Sequence, residues 1–261
     1  MVVEANHLTV TRLGRVVVRD VSFRIEAGQC VSVIGPNGAG KSTLMAALLG
    51  LIPAQGDVRL DSKPIHQLSR RQIARRVAYV PQIHEGYLGF RVRDVVEAGR
   101  YAHVDPLESL QTDERHTQAI DSAVKACRIS SLLDRRVDTL SGGERQKVWL
   151  AAALAQQSPT LFLDEPTTAL DPAHQAELVR IMQQSLQTEH TLLVICHDLN
   201  LAIALGGRVI ALRDGAVFFD EPADVIEDTD RLRQLFDTEF VLYRDGGGLL
   251  AVQPRFQRRS P

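Results

Sequence analysis

Nine residues, GPNGAGKST from Gly35 to Thr43, restrict what this chain can fold into more than any other stretch. They fit the phosphate-loop pattern G-x-x-x-x-G-K-[ST], with the strand-like run CVSVI before them and the helical run KSTLMAALLG opening within them. A strand must deliver such a loop and a helix must receive it, so the chain reads as α/β. Glycines let the backbone curl round phosphate oxygens and aim its N–H groups inward. Lys41 would reach the β- and γ-phosphates, and the Ser42 hydroxyl would take a Mg²⁺ position. The candidate nucleotide contacts are Gly35, Pro36, Asn37, Gly38, Ala39, Gly40, Lys41, Ser42 and Thr43. A glycine-rich turn matching by chance is the plain alternative, and it leaves the strand-helix setting unexplained.

Around this loop the pattern is regular. Residues 1–34 read as strands, NHLTV, VVVRDVSFRI and CVSVI, with a turn at Ala27 and Gly28. The first helix closes at Gly50, with Pro53 just beyond. GDVRLDSKPI reads as a hairpin and VAYVP as a short buried strand. Between about Arg91 and Pro159 the pattern turns helical, with Ile120, Ala123, Val124 and Cys127 on one face. Strand and helix then alternate: TLFLD, a helix from Pro172 to about Leu186 that Asp171 caps, TLLVIC, another helix, and RVIALRDGAVFF. FVLY-RDGGG-LLAV suggests a terminal hairpin, and RFQRRSP a solvated, disordered tail. These shifts divide the 261 residues into a nucleotide-binding core with a β part over 1–90 and 160–239, a helical insert over 91–159, and a hairpin and tail over 240–261.

Composition narrows the setting. A net charge of −2 gives no global reason to expect a nucleic-acid partner. Cys30, Cys127 and Cys196 are far apart within apolar runs and read as reduced and buried, which favours a cytoplasmic setting. Glu4, Asn6 and His7 interrupt any signal-peptide pattern, and no apolar run approaches the roughly 20 residues of a spanning helix. Work at a membrane would go through another chain.

Three further stretches carry chemistry. TLFLDEP sets Asp164 and Glu165 at the end of a buried strand, where a carboxylate is costly unless paired or metal-bound. Asp164 suits a Mg²⁺ shell, and Glu165 can polarise a water toward a γ-phosphate. Taken alone, such a pair is equally a solvated turn. His197 ends TLLVIC and Gln82 follows YVP; by themselves they read as a structural histidine and a surface amide. LSGGE, Leu140 to Glu144, is odder. Ser141 followed by Glu144 is the capping-box pattern of a helix start, an end that attracts anions. A cap gives no reason for Gly142 and Gly143, each costing up to about 1 kcal/mol in a helix interior relative to Ala.

Taken in order, Gly35–Thr43, Gln82, LSGGERQK from Leu140, LFLDEP from Leu161, ALD at Ala169–Asp171 and His197 resemble the ATP-binding subunits of ABC transporters over essentially the whole chain. The resemblance implies a P-loop NTPase with a RecA-like core, an antiparallel β subdomain and an inserted helical subdomain that carries LSGGE. It implies two copies paired head to tail around two ATP molecules. Ser141 and Gly143 of one copy, with Gly142 between them, would meet the γ-phosphate held on the other's loop. Glu165 would be the catalytic carboxylate, Asp164 and Gln82 would hold Mg²⁺ with Ser42, His197 would contact the γ-phosphate, and Asp171 would join the contact between copies. One departure is Leu13 in VTRLGR, where the family commonly has an aromatic residue stacked on adenine. Apolar contact from Leu13 or Val18 is expected instead, with weaker discrimination among nucleotides.

FRVRDVVEAGRYAH, Phe90 to His103, lies where this family meets its membrane partner and is similar to importers of ferric siderophores, haem and cobalamin; HDLNLA from His197 and LRQLF near the carboxyl end point the same way. The expectation is an ATPase on the cytoplasmic face of the membrane, docked on a permease dimer, indirectly served by a substrate-binding protein, and driving uptake of an iron chelate, haem or a corrinoid. The rival readings are an exporter ATPase, another metal importer, or a non-transport ATPase. The last usually carries coiled-coil insertions or fused ATP domains, which this sequence lacks, and no N-K-x-D guanine motif is present.

Overall fold

The computed structural model describes residues 1–82, 89–103, 114–168, 170–188, 190–246, 248 and 250–255. The expected disordered tail falls almost wholly beyond Arg255, outside the described residues, as does Ala169. Strands β1 (Val3–Arg12) and β2 (Arg15–Ile25) fold back at Leu13 and Gly14, whose positive φ values of 48° and 76° suit a tight hairpin turn. After β3 (Cys30–Ile34) and helix α1 (Lys41–Leu48), β4 (Gln55–Leu60) and the short β5 (Lys63–Pro64) complete an antiparallel sheet in the order β2-β1-β4-β5. Helix α2 (Arg70–Ala74), which Ser69 and Gln72 start with a capping box, leads into β6 (Val77–Val80).

The next block is helical, as its periodicity predicts, with α3 (Val92–Ala98), α4 (Glu114–Ala126) and α5 (Gly142–Ala155). Among the described residues here the one β-type contact outside a named strand is a bridge between Arg91 and Arg136. The alternation then resumes through β7 (Thr160–Asp164), α6 (Pro172–Gln187), β8 (Thr191–Ile195), α7 (Leu199–Leu205), β9 (Arg208–Arg213) and β10 (Ala216–Pro222). Helix α8 (Thr229–Phe236) and the hairpin of β11 (Phe240–Arg244) and β12 (Leu250–Pro254) follow. Asn200 of α7 registers that hairpin with both ends of its amide: Nδ2 donates to the Val252 carbonyl (3.1 Å), and the Val252 N–H donates to Oδ1 (2.8 Å).

The central sheet runs β10-β9-β3-β8-β7-β6, parallel except for β10 at one edge. Strands β3, β7 and β8 are buried at every residue, which is why they read as unbroken apolar runs rather than as alternation. The pleat still sorts their side chains. Leu161, Leu163, Leu192 and Val194 join the core shared with α5, α6 and α7, while Phe162, Leu193, Ile195, Val31 and Val33 join the core shared with α1 and the antiparallel sheet. Because β3, β8, β7 and β6 are parallel neighbours, their four carboxyl ends open at one edge of the sheet. No helix among the described residues is long and apolar enough to cross a membrane.

Within Phe90 to His103, Val92, Val95, Val96, Arg100 and Ala102 turn inward. A Cβ on Gly99 would sit 2.2 Å from the Ala152 carbonyl oxygen, so only glycine lets this turn lie against α5. Arg100, 6% exposed, donates from Nη1 to the Ala155 carbonyl (2.7 Å) and to Gln157 Oε1 (3.0 Å), and His103 Nε2 bonds the Gln156 carbonyl (2.8 Å). These groups satisfy carbonyls at the carboxyl end of α5 that no further helical turn would reach. Their first task is structural, and the large apolar side chains that this segment exposes, among charged neighbours, are Phe90 and Tyr101.

Candidate functional site

The loop after β3 can only be built with glycine at two points. Gly35 has φ 144° and a Cβ there would lie 2.1 Å from the Leu212 carbonyl oxygen; Gly40 has φ 98° and its Cβ would lie 2.6 Å from the Val17 carbonyl oxygen. The loop is therefore pinned between β9 and β2. Lys41 folds back over it, donating from Nζ to the carbonyls of Gly35 (2.8 Å) and Pro36 (3.1 Å). Burial pushes the Lys41 ammonium below its ordinary pKa, against the opposing pull of the Glu165 and Asp164 charges.

The carboxyl ends of the parallel strands supply the remaining groups. Asp164 ends β7, is 3% exposed, and accepts from the Ser42 Oγ at 3.3 Å. Burial raises its carboxyl above the ordinary value, Ser42 lowers it, and the neighbouring Glu165 charge raises it again. Glu165 has φ 51°, left-handed backbone held by its N–H donating to the Ile195 carbonyl of β8 (2.9 Å). Its carboxylate is the hub of the site. Gln82 Nε2, just past β6, donates to Oε2 (2.6 Å), Thr168 Oγ1 donates to the same oxygen (3.1 Å), and His197 Nε2, just past β8, pairs with Oε1. Together Val17, Asn37, Gly38, Gly40, Lys41, Ser42, Thr43, Gln82, Glu165 and His197 line a cleft of about 650 Å³. Loop N–H groups and Lys41 on one wall and a hydrogen-bonded carboxylate on the other fit a polyphosphate with a water between it and the acid.

The profile of the family described as ABC transporter matches residues 18–168. The chain belongs to the ABC transporter family. It is 41% identical over 238 residues to a hemin import ATP-binding protein of Nocardia farcinica, with 89% of this chain and 81% of that protein covered. It is 35% identical to an iron(3+)-hydroxamate import ATP-binding protein of Bacillus subtilis, covering 92% and 91%. Its fold is that of a solved metal-chelate type ABC transporter in an inward-facing conformation, with a TM-score of 0.83, 23% identity and 97% of each chain covered.

Of the residues expected from sequence, the ABC cassette brings Gln82, Glu165 and His197 to the Lys41–Ser42 loop, but not Ser141 or Gly142. Those two are exposed at the start of α5 and do not line the cleft. The capping box forms fully: the Glu144 N–H donates to Ser141 Oγ (3.2 Å) and the Ser141 N–H to Glu144 Oε2 (2.8 Å), which holds the Glu144 carboxyl below its usual range. Two expectations need correction. Val18 is fully buried in the core, so it cannot meet adenine; Val17, the next residue on the other face of β2, lines the cleft instead, while Leu13 stands fully exposed at the hairpin tip. Gly143 does have a packing reason within its own chain. It is buried against His174, and a Cβ there would fall 2.4 Å from Cδ2 of that ring. Thr168 and His174 escaped the sequence reading, since a threonine after DEP and a histidine in a first helical turn both look ordinary.

Proposed function

We propose that this cassette is an ATPase that works as a head-to-tail pair and powers a permease importing an iron chelate, ferric siderophore or haem, or cobalamin. The observation that carries the reading is a divided site. Loop, acid, glutamine and histidine share one cleft, whereas the anion-attracting start of α5, with exposed Ser141 and Gly142, lies away from it on the same chain. A second copy turned end for end lets each α5 start face the other's nucleotide. Gly35 to Thr43 hold the phosphates, Lys41 leaves its loop carbonyls for the γ-phosphate, and Val17 offers apolar contact to the base.

Glu165 acts as the general base for the attacking water; Gln82 and Thr168 orient its carboxylate, and His197 bridges from it toward the γ-phosphate. Mg²⁺ would be held by Ser42, Asp164 and Gln82, oxygen donors suited to a small hard cation, and when bound it neutralises phosphate charge. With its amide nitrogen on Glu165, Gln82 has Oε1 to offer such an ion. Exposed Phe90 and Tyr101 give a permease an apolar surface to grip at the cytoplasmic face of the membrane, and a substrate-binding protein delivers cargo from the other side.

Ser141→Arg tests the divided site. ATP binding by the single chain should stay within about 2-fold, while turnover falls at least about 100-fold because the donor end of α5 is blocked. Undiminished turnover would refute the pair. For the cargo, the cassette is reconstituted with its co-purifying permease in vesicles, and ATP-driven uptake of haem, a ferric hydroxamate and cobalamin is compared. Outward movement, or no uptake of any of them, would overturn the importer reading.

A further inference from the structure

The first turn of α6 lies against the first turn of α5. Asp171 caps α6 by accepting from the His174 N–H at Oδ1 (2.9 Å), and its other oxygen, Oδ2, bonds His174 Nδ1 (2.7 Å). The same imidazole covers Gly143, whose missing Cβ would meet Cδ2 at 2.4 Å, Cγ at 2.5 Å and Nδ1 at 3.0 Å. Gly142, one residue earlier, has nothing within 4 Å of its Cβ position. One turn further along both helices, Lys147 Nζ pairs with Glu177 Oε2 at 2.8 Å, with side-chain exposures of 12% and 21%. The two helix starts are thus joined at successive turns, and the joint nearer the chain's open end is a single ring.

We infer that His174 is a positioning residue that couples the Ser141–Gly143 start of α5 to the Asp171 turn, so that both reach a second copy as one rigid piece. The inference rests on the head-to-tail reading above. One side of the ring sets how closely α6 approaches Gly143, and Nδ1 sets where the Asp171 carboxylate stands. Ser141 and Asp171 are carried on different helices after different loops, so without this tie the Lys147–Glu177 pair one turn further along would remain and the two first turns would move more freely against each other. Pairing would then have to fix that freedom at an entropic cost. The tie also accounts for glycine at 143 and open space at 142: the first is shaped by this chain, and the second faces outward.

The test uses the full chain in a Glu165→Gln background, with ATP-driven pairing followed by sedimentation and ATP affinity measured separately at high dilution. His174→Ala should raise the chain concentration needed for half-maximal pairing about 10-fold, while ATP affinity at high dilution moves less than about 2-fold. His174→Phe keeps a ring over Gly143 and loses only the bond to Asp171, so its shift should be smaller. Gly143→Ala should impair pairing at least as strongly as His174→Ala, and adding His174→Ala to it should improve pairing, a rescue that general loss of stability would not give. Equal pairing by His174→Ala and the background chain, or no rescue in the double variant, overturns the inference. If the background chain does not pair with ATP at all, the head-to-tail reading falls first and takes this inference with it.

Discussion

Replacing Glu165 by glutamine separates chemistry from binding, and the structure sets the size of each effect. The side chain is 7% exposed, with Oε2 accepting from Gln82 and Thr168 and Oε1 facing His197 Nε2. A glutamine that keeps its oxygen toward Gln82 and Thr168 turns its amide nitrogen to His197, where a neutral imidazole can accept. The network then survives with weaker, uncharged bonds, a loss of about 1 kcal/mol. Removing a general base costs about 10²–10⁴ in rate, or about 2.7–5.4 kcal/mol at 1.36 kcal/mol per decade. The chemical loss exceeds the structural one several-fold, so the variant should fold, bind and pair but hardly turn over. Asp164 would also lose the repulsion from its neighbour and hold its charge more readily, so Mg²⁺-nucleotide affinity should not weaken. Phosphate release at saturating ATP gives the rate, and equilibrium dialysis gives the affinity. Normal turnover would refute the role of Glu165; loss of binding in parallel with turnover would show that its carboxylate serves the nucleotide rather than the water.

Three further outcomes are expected. Asp164 has a native pKa raised by burial, so the folded state holds this proton more tightly than the unfolded chain; that stabilisation is complete below the ordinary aspartate value and is lost as pH rises through the raised native one. Asp164→Asn should remove that slope from the melting temperature, raise stability at neutral pH and weaken Mg²⁺-dependent nucleotide binding, all readable by calorimetry. Burial pushes the thiols of Cys30, Cys127 and Cys196 up to about 12, so iodoacetamide at mildly alkaline pH should label none in the native protein and all of them after denaturation, counted by mass spectrometry. Arg100→Ala should leave the Ala155 carbonyl at the end of α5 without this donor and cost about 2–4 kcal/mol, seen as a lower urea midpoint, with isolated-chain ATP affinity little changed.

What the sequence made legible follows from how local the physics is. The loop, the buried strands and the caps of α5 and α6 are fixed by neighbours a few residues away, so Gly35, Ser141 and Asp171 could be placed from spacing alone. Convergence of Gln82, Glu165 and His197 was an expectation of the family resemblance alone, because the strand order that opens their carboxyl ends together is set by long-range pairing. Side-chain direction was less readable. Which of Val17 and Val18 turns toward the loop depends on a pleat whose phase is set by the core beneath β2, and both are valines. Gly99 and Arg100 sit in a segment read as facing a partner, yet they pack on a helix that begins over 40 residues later, contacts no window of sequence contains. The tie between Gly143 and His174 was hidden for the same reason.

The amide of Asn200 takes the place of a strand neighbour for one residue of β12, and only for that one. A truncation series made from the carboxyl side should therefore first loosen the hairpin, as Arg255, Pro254 and Gln253 leave their partners on or just before β11, and only with Val252 loosen the helix that begins two residues after His197. Affinity tags placed after Arg255 leave those paired residues in place, whereas an expression boundary drawn before Val252 would leave both ends of the Asn200 amide without their partner.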